Sequence, residues 1–301
     1  MTRVAATNGA TNGATNGATN GATNGATQGA IVTGVGPGAG TVMPPGRPLS
    51  VNYDVHELAP VVGAEFSMAE LHPDLWVQAA LAELLPLVSR HAKTAAECTE
   101  IEEELRATFQ GKSVSEDLHY GLAERDTTLD HYVAEIVDQA GSFHHCYYNV
   151  LSIQPALHPN TAKLISVGMM LGGIVGMEWK LQIKRARPAQ VWPGILPILP
   201  TPAHPSLPSN HATQAAVVSG LLTHALKGDE RYGIGKCLKA LADRIALNRE
   251  RAGVHFASDS DAGRILATKI VRDIVGSQKL QHQMDRCAQE LSLLAAQDDA
   301  K

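Results

Sequence analysis

Six side chains in the C-terminal half have the types and spacing to hold a tetrahedral oxyanion such as phosphate or vanadate: Lys180, Arg187, Ser209, His211, Arg249 and His255. They fall in three segments. In KLQIKRARP, Lys180 and Arg187 are seven residues apart, close to two helical turns, so they share one side of a helix. Pro188 disfavours helical geometry at Arg187, which places that arginine where the helix ends. Lys184 and Arg185 read as solvated charges. In TPAHPSLPSNHATQAA, the prolines make a rigid loop and Ser209 is the N-cap candidate of the helix that follows. The free N–H groups at that helix start form an anion site beside the Ser209 hydroxyl, and His211 can exchange a proton with whatever binds there. In NRERAGVHFASD, Arg249 ends a helix, Gly253 allows a turn and His255 follows in a short loop. Asp259 can accept the Nδ1 proton of His255 and leave Nε2 free to attack or ligate, or cap the last core helix, or do both.

Cations and N–H groups suit a multiply charged oxyanion. Positioning them requires helices, and from about residue 68 the pattern is helical throughout. Thr94 and Glu97 spell a capping box ahead of Ile101 and Leu105. Leu129, Val133, Ile136, Val137 and Ala140 recur at helical spacing. Helices are expected over 161–184, 211–226, from Ile234 past Ile245, over 259–275 and over 279–296, with no alternating strand. The expected fold is an all-α bundle in one domain, residues 49–301. Residues 1–48 read as a disordered tail: 5–30 repeat Ala-Thr-Asn-Gly, with no large apolar side chain to offset the entropy of ordering.

The chain has 301 residues, 44% of them hydrophobic and 18% charged, as in an ordinary globular protein. Its net charge of -5 gives no basis for nucleic-acid binding. Cys98, Cys146, Cys237 and Cys287 lack metal-ligand spacing and read as isolated thiols. The adjacent His144 and His145 read as background. No signal peptide is apparent. The longest uncharged apolar run, Leu164 to Met177, is short of the roughly 20 residues a bilayer requires and reads as a buried core helix. The expectation is a cytoplasmic chain with no membrane helix. Apolar helices in the N-terminal half can complete the bundle or form a homo-oligomer interface.

The order K-x6-RP, PSNH, then R-x5-H-x3-D resembles the signature of the superfamily that unites type 2 phosphatidic acid phosphatases, bacterial class A acid phosphatases and vanadium haloperoxidases. The resemblance spans residues 180–264. It implies a helical bundle of that type, with an oxyanion held by Lys180, Arg187, Ser209, the backbone N–H of Asn210, and Arg249. It implies His255 as nucleophile or vanadate ligand and His211 as acid/base. The family usually has Gly at the position of Asn210 and Ser at that of Asn248. Asn tolerates positive φ, so a bend at 210 can survive.

Two reactions share such a site. In a phosphatase His255 attacks phosphorus; in a haloperoxidase His255 holds vanadate, and hydrogen peroxide and a halide are the substrates. The run HPSLPSNHATQ looks like HPSYPSGHATQ of vanadium bromoperoxidases, and His204 falls where those enzymes carry an extra active-site histidine. AGVHFASDSDAGR resembles the acid phosphatases as well as the haloperoxidases. The expected function is a vanadate-dependent haloperoxidase acting on halide, bromide foremost. The alternatives are an acid phosphatase acting on a small phosphate ester and a non-catalytic oxyanion-binding protein.

Overall fold

The computed structural model describes residues 72–226 and 233–298, with the side chains of 119–130 and 293–298 left aside. The repeat segment and the boundary at 48–49 lie outside the described residues. The chain divides into two units, residues 1–76 and 77–301, and the second holds every candidate residue. Among the described residues no strand occurs and the fold is all-α.

The helices are α1 (Pro73–Val88), α2 (Ala95–Ala107), α3 (Val114–Gly141), α4 (His144–Val150), α5 (Pro159–Ile183), α6 (Pro188–Val191), α7 (Asn210–Ala225), α8 (Ile234–Arg251), α9 (Ala257–Ile274) and α10 (Gln278–Asp298). Capping boxes start two of them: Thr94 with Glu97 at α2, as the sequence indicates, and Ser113 with Glu116 at α3. In α3, Ile136 and Gln139 face inward while Val137 is 54% exposed, so the apolar row expected there is only partly the buried face.

Helix α7 is the axis of the bundle. It packs against α5, α8, α9 and α10, and Ala215, Val217, Val218, Leu221 and Leu222 are fully buried on it. Its contact with α5 depends on the absence of a side chain at Gly172. A Cβ there would stand 2.8 Å from the Gln214 Cα, which is backbone and cannot swing aside. Gly263 does the same for α9, where a Cβ would meet the Ser209 carbonyl oxygen at 2.9 Å. These two approaches bring the ends of α5 and α9 to the start of α7.

The segment Pro159–Val191, made of α5 and the short α6, corrects the expectation of a cytoplasmic chain without a membrane-length apolar segment. Counting only the uncharged run Leu164 to Met177 understates it, because isolated charges at the flanks do not end the apolar segment. By length and composition it is able to cross a membrane: 33 residues, with a mean hydropathy of 1.3 over its most apolar window. In the structure 61% of that window is buried within the protein.

Gly172→Ala is expected to cost about 1–3 kcal/mol by overpacking the α5–α7 contact. Urea unfolding measures it, and an unchanged midpoint would show that the two helices can separate without loss.

Candidate active site

Lys180 lies in the last turn of α5 and is completely buried. Its ammonium donates to the carbonyl oxygens of Pro205 (2.9 Å) and Ser206 (2.7 Å), so it pins the proline-rich loop to the helix. Lys184 ends α5 in a left-handed conformation. The chain then turns so that Arg187 is extended ahead of Pro188, as the proline dictates. Arg187 is buried and forks across the site. Its Nε donates to the His204 carbonyl oxygen at 3.0 Å, one terminal nitrogen contacts His204 Nδ1 at 3.0 Å, and the other donates to the Val254 carbonyl oxygen at 2.7 Å.

That last nitrogen also lies 3.0 Å from His255 Nε2. A guanidinium only donates, so Nε2 is the acceptor and the ring proton belongs on Nδ1. Nδ1 faces Asp259 Oδ2 at 2.9 Å. The same oxygen accepts from the Ser206 hydroxyl at 2.5 Å and from the Phe256 N–H at 3.0 Å. Burial alone would raise the Asp259 pKa, but the His255 hydrogen bond, the nearby charges and Ser206 hold it well below the carboxylate range. Burial pushes His255 well below the usual histidine range, assisted by the charges of Arg187 and Lys180, so its ring is neutral.

Ser209 is the N-cap of α7, its hydroxyl accepting from the Ala212 N–H at 3.4 Å and its own N–H donating to the Asp259 carbonyl oxygen at 2.9 Å. The second bond ties the α7 start to the His255 segment. Asn210 is the first residue of α7, without positive φ, so no bend occurs at this position. Its amide turns toward α5, where Nδ2 donates to the Gly173 carbonyl oxygen at 3.3 Å. The space it uses is that left by Gly176, whose Cβ would fall 2.4 Å from Asn210 Oδ1.

His211 and Arg249 reach the site from the α3 side. His211 Nε2 donates to the Gln139 carbonyl oxygen at 3.0 Å, and its ring packs on Phe143. Burial, then the charge of Arg249, pushes its pKa down to about 3. One terminal nitrogen of Arg249 donates to the Ile136 carbonyl oxygen at 2.7 Å, while its buried Nε has no hydrogen-bond partner among the described residues. Asn248 joins α8 to α3 through Gln139 Oε1 (2.9 Å) and Glu135 (3.0 Å). His204 is partly buried, and burial followed by the Lys180 and Arg187 charges lowers its pKa to about 4.

Arg185 departs from its reading as a solvated charge. Its side chain is only 14% exposed and pairs with Asp259 and Asp117, each at 2.7 Å. It also donates to Ser258 at 2.6 Å and lies over the rings of Phe109 and Phe256. Asp117, from the first turn of α3, is nearly inaccessible and accepts from the Ser258 N–H. No sequence signal near Asp117 connects it with Ser258, 141 positions later.

The charges of this network do not cancel. Arg185, Arg187 and Arg249 are three cations against the carboxylates Asp117 and Asp259, and burial with the nearby Arg187 charge pushes the Lys180 amine well below its usual range, so at least one surplus positive charge stands over neutral histidines. A buried surplus of that size is costly unless an anion shares the space. The unpartnered Arg249 Nε and the His255 Nε2 lone pair add a donor and a nucleophilic or ligating atom. These residues fit a doubly charged tetrahedral oxyanion.

Residues 162–276 match the model of the PAP2 superfamily. That segment holds every candidate site residue from Lys180 to Asp259, and the match supports a place in that superfamily. Among solved structures it is similar to that of a transmembrane PAP2 type phosphatidylglycerolphosphate phosphatase from Bacillus subtilis. The identity is 15%, the TM-score 0.31, and the match covers 67% of this chain and 94% of that one. No curated protein matches.

Removing Arg185 as Arg185→Ala leaves two buried carboxylates facing each other, and a loss of about 3–5 kcal/mol is expected in chemical denaturation. A loss within the range of an exposed pair would mean that Asp117 and Asp259 find other partners.

The histidines also set a pH dependence. In the folded chain His204, His144 and His211 have pKa values of about 4, about 4 and about 3, against roughly 6.5 unfolded. The unfolded state therefore binds more protons, and stability is lost as pH falls from about 6.5 toward 4. Glu250 works the other way, since burial raises its carboxyl to about 7 and favours the folded state as pH drops from about 7 to about 4.5. Three histidines and His255 outweigh one carboxyl. The urea midpoint should fall between pH 6.5 and 5, and a flat profile would contradict the buried neutral histidines.

Proposed function

We propose that this protein hydrolyses phosphate monoesters through a phosphohistidine on His255. The observation that carries the reading is the His255 Nε2 lone pair, fixed by Asp259 on one side and set against Arg187 on the other, within a buried network of surplus positive charge. The match of residues 162–276 to the PAP2 superfamily model supports hydrolysis over halide oxidation.

The phosphoryl oxygens are neutralised by Lys180, Arg187 and Arg249, with the N–H groups at the α7 start and the Ser209 hydroxyl as further donors. Nε2 attacks phosphorus, a P–N bond forms and the ester P–O bond breaks. Asp259 stabilises the charge that develops on the ring while Nδ1 keeps its proton. His211, protonated also on Nδ1 in the substrate complex while its Nε2–H stays on the Gln139 carbonyl, gives the Nδ1 proton to the departing ester oxygen, then takes one on Nδ1 from the water that attacks phosphorus, and the P–N bond breaks to release phosphate. The resting pKa of His211 is depressed partly by Arg249, Lys180 and Arg187, so a bound dianion that offsets those charges raises it toward the range a general acid needs.

A second reading rests on one observation. His204, at the position resembling the extra histidine of bromoperoxidases, touches Arg187 directly. A vanadate in this site would be held by the same cations with His255 Nε2 facing it, and would supply the chemistry that activates peroxide toward halide. A site that binds oxyanion without turnover remains the third outcome of the test.

Hydrolysis of p-nitrophenyl phosphate by the full chain is expected, with vanadate as inhibitor. His255→Ala should reduce kcat at least roughly 10³-fold. His211→Ala should cost about 10²–10⁴-fold with an alkyl phosphate and much less with the good p-nitrophenolate leaving group. Bromination switched on by vanadate, without hydrolysis in its absence, would transfer the assignment to the second reading. Binding of vanadate with neither activity would leave the third.

A further inference from the structure

At the corner between α3 and α4, on the far side of Gln139 from His211, three potential metal ligands converge. Helix α3 stops at Gly141, Ser142 is extended, and the completely buried Phe143 anchors the turn. The reversal folds Asp138 back over the first turn of α4. Asp138 Oδ2 lies 2.6 Å from His145 Nε2, which lies 3.4 Å from Cys146 Sγ, and one donor atom of each residue falls within 4.8 Å of the other two. His145 and Cys146, which as isolated residues suggest no function, thus face a common point.

We propose that Asp138, His145 and Cys146 form a binding site for a zinc-class transition-metal ion, whose occupancy fixes the α3–α4 corner. Tetrahedral zinc with bonds of 2.0–2.3 Å separates its ligand atoms by roughly 3.3–3.7 Å. The histidine–cysteine pair is already close to that spacing, and the 60% exposed Asp138 carboxylate is free to move outward by about 1 Å. Thiolate, imidazole and carboxylate together select zinc or cobalt over magnesium or calcium. Exposure at Asp138 and His145 leaves room for a water as fourth ligand.

A supporting shell is present. Gln139 Nε2 lies 3.9 Å from Cys146 Sγ and donates to Glu135 at 2.8 Å, and the Gln139 side-chain oxygen accepts from Asn248. Its backbone carbonyl holds His211. The corner the metal would fix is therefore the one against which the His211 ring of α7 is held, whichever reaction takes place there.

Cobalt(II) titration of the full chain tests the proposal, using the cobalt–thiolate charge-transfer absorption, with thermal unfolding alongside. One equivalent should give the absorption, zinc should displace it, and metal should raise the melting temperature. Both signals should vanish in Cys146→Ser, and His145→Ala should weaken binding at least tenfold. The remaining cysteines, Cys98, Cys237 and Cys287, serve as internal controls. Undiminished absorption in Cys146→Ser, or none in the parent chain, would overturn the site. Absorption without a rise in melting temperature would overturn the claim that the ion fixes the corner.

Discussion

Positive charge that cannot reach water is the constraint to which the rest of this molecule answers. Lys180, Arg187 and Arg249 are each at least 98% buried, where an ammonium or guanidinium is tolerated only with donors satisfied and countercharge near. The proline-rich loop supplies carbonyls for the first two, and α3 supplies one for the third. The loop is thus held by the cations as much as the cations are held by the loop. A positive excess persists after this arrangement, and the proposed oxyanion is what would balance it.

Asp259 distributes that constraint across the fold. One carboxylate oxygen collects His255, Ser206 and the start of α9, while the other takes Arg185. Arg185 in turn reaches Asp117 on α3. A residue expected to orient one imidazole therefore also joins the proline-rich loop, the end of α5, the α9 cap and, through Arg185, the distant first turn of α3. The histidine is rigid because its partner has several other obligations.

The helices were legible because their periodicity and caps are local: Ser209 caps α7, Thr94 pairs with Glu97, and Pro188 fixes Arg187 as extended. So was the pairing of His255 with Asp259, four residues on. Arg185 was misread because its apolar cover, Phe109 and Phe256, and its countercharge Asp117 come from other parts of the chain. Asn210 was read through its backbone, whereas its side chain answers to the space at Gly176 on α5. The length of the apolar helix was missed because charge-free runs were counted in place of helix extent. Each failure involves a contact or a boundary that single-segment patterns do not contain.

The same constraint links stability with activity. A site that keeps surplus positive charge in a low-dielectric interior spends part of the folding free energy on doing so, and the proposed oxyanion would offset it by an amount that grows with the logarithm of its concentration over its Kd. Replacing one of the cations by an apolar residue of similar length would lessen the repulsion and leave the carbonyls of residues 204–206 without their donors, two effects of opposite sign. Arg187 shows which should dominate. It holds the loop at His204, the backbone at Val254 and the proposed nucleophile, His255, with one planar group, so the geometric loss exceeds the electrostatic gain. On that argument the charged cluster is a structural element first, and the proposed oxyanion chemistry would follow from the charge it is obliged to retain.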